Sequence, residues 1–484
     1  MSRTAAIIGG GVIGAGWAAR FLMNGWNVRV FDPSPDAARN IGEVLDNARR
    51  SLPGLSDVAL PDEGTLSFSA TISEAVANAD WIQESVPERL ATKQQAYCEI
   101  QATCPKGAVL ASSTSGFKPS ELQTSAARPG QIIVCHPFNP VYLLPLVEVV
   151  GGPNAEAAIV ARAQDILVDL GMKPLLVRNE IDAHIADRLL EAVWREALWL
   201  VHDGVATTEE IDDAIRFGFG IRWAQMGLFE TYRLAGGETG MAHFIRQFGP
   251  ALAWPWSKLT DVPDLTDDLV KTIADQSDAQ SGMHSIRALE RIRDTNLVTV
   301  MRGLKGQNWG AGAVLNAHDM RLRSAEVETD FSQLILTLDR TVPLDWTDFN
   351  GHMNEARYLE ASSKATDRFM ELVGCDATYI ANGGSYFTAE THIRHLNEAH
   401  AGDRLRVKTL LLNGTGKKLH VFNLIYAGDA LAATVEQMLL HVSLETRKTS
   451  EPSEVIVQTL ARIQKAHDNL PRPEGIARTV GQRP

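Results

Sequence analysis

The chain has 484 residues, of which 45% are hydrophobic and 22% charged, and its formal net charge is -13. At roughly 100 to 200 residues per domain this length predicts three domains. The acidic balance argues against a nucleic acid or an anionic membrane as partner, because no basic field is present to attract phosphate groups. The four cysteines lack metal-ligand spacing and no apolar run is long enough to span a bilayer, so we expect a cytoplasmic protein with small-molecule partners and no bound metal.

The first part of the chain alternates short apolar runs with helical ones. An apolar run at residues 5–8 leads into a glycine cluster, a helix follows near Trp17, and a strand is predicted at residues 27–32. Further strand-like runs occur at residues 81–86, 108–112 and 131–135. This alternation predicts a parallel, doubly wound sheet. We place this α/β Rossmann domain at residues 1–180.

A glycine-rich turn lies between the first strand and the first helix. It consists of Gly9, Gly10, Gly11, Val12, Ile13 and Gly14. Glycines at these positions allow a tight bend and close approach of the backbone to a pyrophosphate, which the helix amides then meet. Asp32 ends the second strand, where a carboxylate can accept a hydrogen bond from a ribose 2′-hydroxyl and repel a 2′-phosphate. The two features together predict NAD as cofactor; the alternative is a glycine turn with a capping aspartate.

A histidine and a glutamate are candidates for the oxidation of an alcohol. His136 follows an apolar strand, and Glu148 lies in the next strand-like run, at residues 144–150. Removing a hydroxyl proton needs a base that titrates near neutral pH. A carboxylate on the far ring nitrogen would fix the tautomer and stabilise the imidazolium. Spacing alone is equally compatible with a structural histidine and a solvated glutamate.

Five motifs occur in a fixed order. They are Gly9–Gly14, Glu84–Glu88, Ala111–Ser115, His136–Pro140 and Leu146–Val150, within about residues 1–320. Together they resemble the 3-hydroxyacyl-CoA dehydrogenase superfamily. The resemblance implies that His136 is the catalytic base, that Glu148 is its partner and that Ser115 contacts the substrate hydroxyl. It also implies that Glu88 and Lys93 line the cofactor.

Long helical periodicity extends over residues 181–322. We expect an all-α domain there that helps to bind the substrate and forms the contact of a homodimer. At its start the superfamily usually has Gly-Phe-Ile-x-Asn-Arg, whereas this chain has Ala183-His-Ile-Ala-Asp187-Arg188. Asp187 can hold the substrate hydroxyl, pair with Arg188 or face a substrate cation.

The helical domain is rich in tryptophan. Six of the ten tryptophans lie there, namely Trp194, Trp199, Trp223, Trp254, Trp256 and Trp309. Aromatic faces attract quaternary ammonium groups, although helix packing explains each ring by itself. In its length, in the residues of its motifs and in its third domain, the chain resembles the carnitine-oxidising branch of the superfamily. This resemblance implies NAD-dependent oxidation of L-carnitine to 3-dehydrocarnitine. The alternatives are a 3-hydroxyacyl-CoA dehydrogenase and a sugar-acid dehydrogenase of the gulonate or lambda-crystallin type.

The alternating pattern in the last third of the chain predicts a small antiparallel sheet around one helix. A charged linker at residues 323–333 precedes this domain, which we place at residues 334–465, and residues 466–484 are expected to be a disordered tail. The helix is predicted at residues 354–373. Its apolar face comprises Tyr358, Ala361, Ala365, Phe369 and Leu372. One apolar face on such a helix predicts an α+β hot-dog domain, in which the sheet wraps the helix.

Residues 342–358 resemble the start of the central helix in hot-dog thioesterases of the 4-hydroxybenzoyl-CoA type. The resemblance implies that Asp348 is the catalytic carboxylate, as nucleophile or as base for water, with His352 and Asn354 as further candidates. Fused to the oxidation above, such a module implies hydrolysis of a CoA thioester, betainyl-CoA, to glycine betaine and CoA. Asp348 could instead cap the helix, or the module could bind a CoA thioester without turnover.

Overall fold

The computed structural model describes residues 3–235, 244–247, 257–258, 263–324 and 330–477. The chain divides into two compact units. The first comprises Met1–Ala48 and Pro61–His318, and the second comprises Arg49–Leu60 and Asp319–Pro484. A short segment from the first third of the sequence therefore belongs to the second unit, which the sequence did not indicate.

An eight-stranded sheet forms the centre of the first unit. Its strands are β1 (Thr4–Ile8), β2 (Asn27–Phe31), β3 (Leu66–Phe68), β4 (Trp81–Glu84), β5 (Val109–Ser112), β6 (Ile132–Pro137), β7 (Leu146–Val150) and β8 (Lys173–Val177). Their order is β3-β2-β1-β4-β5-β6-β7-β8. Neighbouring strands are parallel except β6 and β7, which pair antiparallel. The Rossmann fold is confirmed.

The antiparallel pair corrects our expectation of a wholly parallel sheet. Only residues 138–145 separate β6 from β7, whereas a parallel connection needs a crossover of about a dozen residues or more. The chain must therefore turn back beside β6. The reversal sets His136 directly opposite Glu148 in the strand register, so the two side chains lie on the same face of the sheet.

The first helix is packed tightly into the first unit. The helices of this region are α1 (Val12–Leu22), α2 (Ala37–Ser51), α3 (Ile72–Val76), α4 (Leu90–Thr103), α5 (Pro119–Leu122) and α6 (Ala157–Asp169). In α1, Trp17 and Phe21 pack against Trp81 of β4, with ring centroids 6.1 and 5.8 Å from the Trp81 ring. Large aromatic surfaces buried in this way contribute strongly to stability. The packing fixes the start of α1 beside the glycine turn.

The described parts of residues 186–324 are helical, which confirms the all-α prediction. The helices are α7 (Ala186–His202), α8 (Thr208–Ala214), α9 (Gly220–Ala235), α10 (Asp267–Ser281), α11 (Ile286–Gly303) and α12 (Ala311–Ser324), with a π-helical turn at Ile215–Phe219 and a helical turn at 244–247. Among the described side chains, α7 buries only Val201 and α9 only Thr231. Helix α12 ends at Ser324, so the first residues of the predicted linker at 323–333 are helical. No helix in the described ranges has the length and apolar character needed to cross a bilayer.

An antiparallel five-stranded sheet forms the second unit. Its elements are β9 (Ile335–Thr341), α13 (Glu355–Leu372), α14 (Ala377–Ala381), β10 (Gly384–His395), β11 (Arg404–Asn413), β12 (Lys418–Ala427), β13 (Ala430–Ser443) and α15 (Glu454–His467). The strand order is β10-β13-β12-β11-β9. Helix α13 buries four residues of the predicted apolar face, Tyr358, Ala361, Ala365 and Phe369, and the fifth, Leu372, is partly buried. These residues pack with side chains of the sheet, and the hot-dog fold is confirmed.

The end of the chain is more ordered than its composition suggested. Helix α15 runs to His467, and beyond it Leu470 and Ile476 pack against apolar residues of β11 and β12. The prediction of a disordered tail at residues 466–484 is therefore wrong for residues 466–477. Two apolar side chains among prolines and arginines bury enough surface to hold this stretch, and average composition does not reveal them.

Candidate active sites

The glycine turn at the start of α1 has a backbone that only glycine allows. Gly9 has a φ of +99°, and a Cβ there would lie 2.5 Å from the carbonyl oxygen of Ser85. A Cβ on Gly14 would lie 1.9 Å from the carbonyl oxygen of Gly9. Gly11 caps α1, and apart from its chain neighbours no atom of the described residues lies within 4 Å of its Cβ position. The first-turn amides of α1 can therefore be approached closely by a phosphate.

Asp32 lies beside this turn, directly after β2. One carboxylate oxygen accepts a hydrogen bond from the amide of Gly10 at 2.6 Å, and the other accepts from the amide of Ser34 at 2.7 Å. Val12 is exposed and Ile13 half-buried in the first turn of α1. These residues fit a dinucleotide, because the turn offers amides to a pyrophosphate and Asp32 offers an acceptor to a ribose.

A buried acid, Glu84, organises the side chains behind the neighbouring loop. Its carboxylate accepts hydrogen bonds from Lys93 at 2.8 Å, Tyr97 at 2.5 Å and Ser112 at 2.6 Å. The ammonium of Lys93 also lies 3.1 Å from Glu88, and its side chain is 1% exposed. Lys93 is thus a buried partner of two carboxylates, and its place in the lining of the cofactor site stays a prediction.

Glu88 presents a half-exposed carboxylate at this loop. Burial acts to raise the pKa of Glu88. A hydrogen bond from Thr114 and the charge of Lys93 act in the opposite direction and outweigh burial, so the pKa lies below its ordinary value. Glu88 is therefore ionised at neutral pH. The predicted contact of Glu88 with the cofactor would therefore be made by an ionised carboxylate, which pairs with the buried ammonium of Lys93.

His136 and Glu148 form the predicted pair. His136 Nδ1 lies 3.0 Å from a Glu148 oxygen, and both side chains are buried. The other Glu148 oxygen accepts hydrogen bonds from the amides of Ile185 and Ala186 at 2.8 and 2.9 Å, at the start of α7. Burial acts to raise the pKa of Glu148, yet the hydrogen bonds from His136, Ala186 and Ile185 outweigh it, and the pKa lies below its ordinary value.

An ionised Glu148 determines the tautomer of His136. A carboxylate accepts hydrogen bonds and donates none, so Nδ1 of His136 carries the hydrogen. Nε2 then has a free lone pair and can take a proton. This is the arrangement that a general base for alcohol oxidation requires.

A strained turn delivers the two amides to Glu148. Ala183 and His184 have φ values of +58° and +50°, in the left-handed region that residues with a side chain rarely adopt. His184 is buried, its Nε2 lies 3.3 Å from the carbonyl oxygen of Thr114, and its ring centroid lies 5.7 Å from that of His136. Burial lowers the pKa of His184, so the ring is neutral and donates from Nε2. His184 was not predicted as a site residue, although the superfamily usually has phenylalanine at this position.

Asp187 lies on the opposite side of the His136 ring from Glu148. Its carboxylate is 3.6 Å from Nε2, the nitrogen that can accept a proton. Burial raises the pKa of Asp187; the nearby His136 opposes this effect, and the charge of Glu148 adds to it. Ser115 is exposed in the loop after β5, one residue beyond Thr114. The structure thus adds a second carboxylate to the predicted pair, at the nitrogen that faces away from Glu148.

The second unit holds a separate cavity of about 540 Å³ at the start of α13. Asp348, His352, Asn354, Tyr358 and His395 are among the residues that line it. Nδ1 of His352 lies 3.8 Å from the carboxylate of Asp348, and the ring of His395 packs edge-on against Tyr358 with centroids 5.0 Å apart. The three predicted residues therefore share one cavity, together with Tyr358 and His395, which were not predicted as site residues.

Asn354, and not Asp348, caps α13. The side-chain oxygen of Asn354 accepts a hydrogen bond from the amide of Ala356 at 3.0 Å. Asp348 lies in the preceding turn, where one oxygen accepts from the amide of Asn350 at 2.8 Å. The alternative that Asp348 caps the helix is thus wrong. A carboxylate that faces a cavity at a helix N-terminus can attack a carbonyl or activate water against it.

Three family models match successive parts of the chain. Residues 4–181 match the NAD-binding domain of 3-hydroxyacyl-CoA dehydrogenases, residues 184–272 match their C-terminal domain, and residues 342–460 match the thioesterase-like superfamily. A Ruegeria pomeroyi protein, L-carnitine dehydrogenase/betainyl-CoA thioesterase, is 68% identical over 99% of this chain and 99% of its own length. The chain belongs to the L-carnitine dehydrogenase/betainyl-CoA thioesterase family.

Other relatives match the dehydrogenase part of this family alone. An L-carnitine dehydrogenase of Mesorhizobium japonicum is 56% identical over 64% of this chain and 86% of its own length. A solved structure of 5-formyl-3-hydroxy-2-methylpyridine 4-carboxylic acid 5-dehydrogenase, an NAD⁺-dependent dismutase, is 31% identical, with a TM-score of 0.54 over 63% of this chain and 99% of its own. Family membership confirms both resemblances predicted from the sequence.

Replacing Glu148 tests the dehydrogenase pair. Glu148→Gln keeps the shape but removes the charge that stabilises the imidazolium, so we expect kcat for alcohol oxidation to fall at least ~100-fold. The folded-state pKa of Glu148 is lowered, so its contribution to stability is present above the unfolded pKa of about 4.3 and is lost as pH falls through the folded pKa. Thermal melting of wild type and variant should differ most near neutral pH and converge as the pH falls through the lowered folded-state pKa of Glu148.

Glu99→Gln is the matched control, because Glu99 is exposed in α4. It should keep wild-type kcat and melting temperature. Wild-type turnover in Glu148→Gln would contradict the proposed role of Glu148.

Proposed function

We propose that the chain is a bifunctional enzyme that oxidises L-carnitine to 3-dehydrocarnitine with NAD and hydrolyses betainyl-CoA to glycine betaine and CoA. The observation that carries this proposal is the relative at 68% identity over 99% of the chain, whose name states both activities. The His136 and Glu148 pair supports the first activity. The cavity that contains Asp348 supports the second.

In the dehydrogenase site, His136 acts as general base. The glycine turn and Asp32 would hold NAD, and NAD would supply the acceptor for the hydride from C3 of the substrate. Nε2 of His136 takes the hydroxyl proton, and Glu148 stabilises the imidazolium from the other ring nitrogen. Ser115, in the exposed loop after β5, orients the hydroxyl by a hydrogen bond.

Asp187 makes this site suited to a cationic substrate. Its carboxylate lies 3.6 Å from the nitrogen that receives the substrate proton. A carboxylate at that place attracts a trimethylammonium group, whereas an asparagine would be neutral. It also adds negative charge beside the imidazolium that forms during the reaction. We therefore assign Asp187 to selection of carnitine over a 3-hydroxy acid that has no cationic group.

The tryptophans give less support to an aromatic cage. Trp194 and Trp309 are about half exposed, and Trp223 packs against Phe219 with ring centroids 4.6 Å apart. The ammonium of Lys258 lies 4.0 Å from the ring centre of Trp199, where a ligand cation would otherwise stack. The remaining two, Trp254 and Trp256, lie outside the described residues. An aromatic receptor for the ammonium group stays a prediction.

Substrate choice is tested by NAD reduction with L-carnitine, D-carnitine, 3-hydroxybutyrate and L-gulonate. We expect turnover with L-carnitine above the other three, and a loss of at least ~100-fold in His136→Ala because the general base is removed. Asp187→Asn should lower kcat/KM for L-carnitine about 10-fold more than for 3-hydroxybutyrate, since only the former loses an opposite charge.

Either of two results would count against this assignment. Preference of the wild type for L-gulonate or 3-hydroxybutyrate would exclude carnitine as the substrate. An equal loss for both substrates in Asp187→Asn would remove Asp187 from substrate selection.

In the hot-dog site, Asp348 drives thioester hydrolysis. Its carboxylate takes a proton from the water that attacks the carbonyl carbon, or attacks that carbon itself before water releases the acid. The C–S bond breaks and CoA leaves as the thiolate. The amides at the start of α13 stabilise the negative charge on the carbonyl oxygen. His352 contributes a charge beside Asp348 when it is protonated.

Asp348→Asn tests this role. We expect the release of free CoA thiol from betainyl-CoA to fall at least ~100-fold, because an amide neither attacks nor takes a proton at neutral pH. NAD reduction with L-carnitine should be unchanged in the same protein, which controls for folding. Undiminished thiol release in Asp348→Asn would reject the assignment, and binding of betainyl-CoA without release by the wild type would indicate a module without catalysis.

We further propose a homodimer formed through the helical domain. Helix α7 leaves large apolar side chains exposed, including Leu189, Leu190, Val193 and Trp194. Exposed apolar surface of this kind on consecutive turns of one helix is typical of a protein contact. A cytoplasmic location stays a prediction, and the four unpaired cysteines are compatible with it.

Light scattering after size exclusion tests the homodimer. The wild type should elute with twice the chain mass of 52.8 kDa. Leu190→Glu should shift the population towards the monomer, because it places a charge in the apolar contact. Leu176→Glu changes an exposed leucine on β8 and should not. A monomeric wild type, or a Leu190→Glu variant that remains dimeric, would refute the proposed contact.

A further inference from the structure

Residues Arg49–Leu60, here called the strap, belong to the second unit although they lie within the dehydrogenase part of the sequence. Leu52–Leu55 form a turn of 3-10 helix in which all four residues are buried. The amide of Ala59 donates to the carbonyl oxygen of Asp339 in β9 at 2.6 Å. The strap is thus joined to the thioesterase sheet by a backbone hydrogen bond, and its 3-10 turn is buried.

Asp57 of the strap pairs with a buried arginine of the thioesterase sheet. Nη1 of Arg340 lies 2.8 Å from the carboxylate of Asp57, and Nη2 donates to the carbonyl oxygen of Ser56 at 3.2 Å. The Arg340 side chain is 1% exposed. A guanidinium buried to this degree needs charged or polar partners, since an unpaired charge in the interior is costly. Asp57 supplies an ionic partner and Ser56 a neutral one.

Arg340 in turn contacts the loop that carries Asp348. Its guanidinium carbon lies 4.3 Å from the ring centre of Trp346, a cation-π contact within the interior. Trp346 precedes Asp348 by two residues, and its carbonyl oxygen accepts a hydrogen bond from the amide of Asn354 at 2.9 Å. Asn354 caps α13. A continuous series of contacts therefore leads from Asp57 through Arg340 and Trp346 to both ends of the catalytic loop.

We propose that Asp57 is a positioning residue for the thioesterase reaction, acting through Arg340 and Trp346 on the loop at residues 344–354. Asp57 is absent from the lining of the cavity that contains Asp348, so it acts without touching the substrate. The proposal rests on the proposed thioesterase function for its kinetic readout. The fusion would then have a structural role, because a segment within the dehydrogenase part of the sequence supplies part of the thioesterase framework.

The full-length chain is compared with Asp57→Asn, Asp57→Glu, Arg340→Met and the double variant Asp57→Asn/Arg340→Met. We expect Asp57→Asn to lower kcat for betainyl-CoA hydrolysis about 10-fold, as small displacements of catalytic groups have large effects. KM for betainyl-CoA and NAD reduction with L-carnitine should stay within twofold of wild type. Asp57→Glu should recover most of kcat, since it keeps the charge.

The double variant separates positioning from general stability. If Asp57 acts through Arg340, Asp57→Asn should lower kcat by less than twofold in the Arg340→Met background. Asp429→Asn is the matched control, because Asp429 is a fully exposed ionic partner of Arg406 in the same unit. It should leave both activities unchanged.

Hydrogen exchange measured by mass spectrometry gives a readout that does not depend on turnover. Amides of residues 344–354 should exchange faster in Asp57→Asn than in wild type, while those of β4 and β5 should not change. Wild-type kcat and exchange in Asp57→Asn, a parallel fall in NAD reduction, or additive losses in the double variant would each overturn the proposal. A wild type that fails to hydrolyse betainyl-CoA would reject the proposed function, and exchange at residues 344–354 would still decide the role of Asp57.

Discussion

Glu148 is fully buried, yet it carries a charge that three donors from two regions of the first unit stabilise. His136 donates from the neighbouring strand β6, and Ile185 and Ala186 donate from the start of the helical domain. A buried carboxylate is tolerated only while its hydrogen bonds are made. The catalytic base is therefore correctly oriented only when the sheet edge and helix α7 are both in place. Catalysis thus requires the helical domain to be correctly positioned.

This dependence explains the unusual backbone that precedes α7. Ala183 and His184 adopt left-handed φ values, at a cost of about 1 to 2 kcal/mol per residue. The turn aims the next two amides at Glu148, and each such bond to a charged group is worth about 1.5 to 3 kcal/mol. The two hydrogen bonds to Glu148 thus offset the backbone strain of the turn. His184 is held in the same turn, and its ring lies beside that of His136.

The parts of the molecule that repeat or alternate could be predicted from the sequence. Strand alternation, the glycine turn and the apolar face of α13 gave the fold of both units, and ordered motifs led to His136, Glu148 and Asp348. The burial of Lys93 and the place of His184 depend on long-range packing that no local pattern encodes. The same holds for the polar network beneath α13, where Asn423 bonds Ser362 at 2.9 Å and Thr409 at 2.6 Å. The reversal at β7 could have been predicted, because the loop after β6 is too short for a crossover.

The strap also determines the order in which the two units can be completed. During synthesis from the N-terminus, Arg49–Leu60 leave the ribosome long before Asp319–Pro484, with which they form one compact unit. At typical rates of about 5 to 20 residues per second, the delay lasts tens of seconds. Strand β9, which contacts Asp57 and Ala59 of the strap, has not been synthesised during that interval, while the Rossmann sheet can already form. Completion of the hot-dog unit is therefore a late event in folding, because it needs a segment from a much earlier part of the nascent chain.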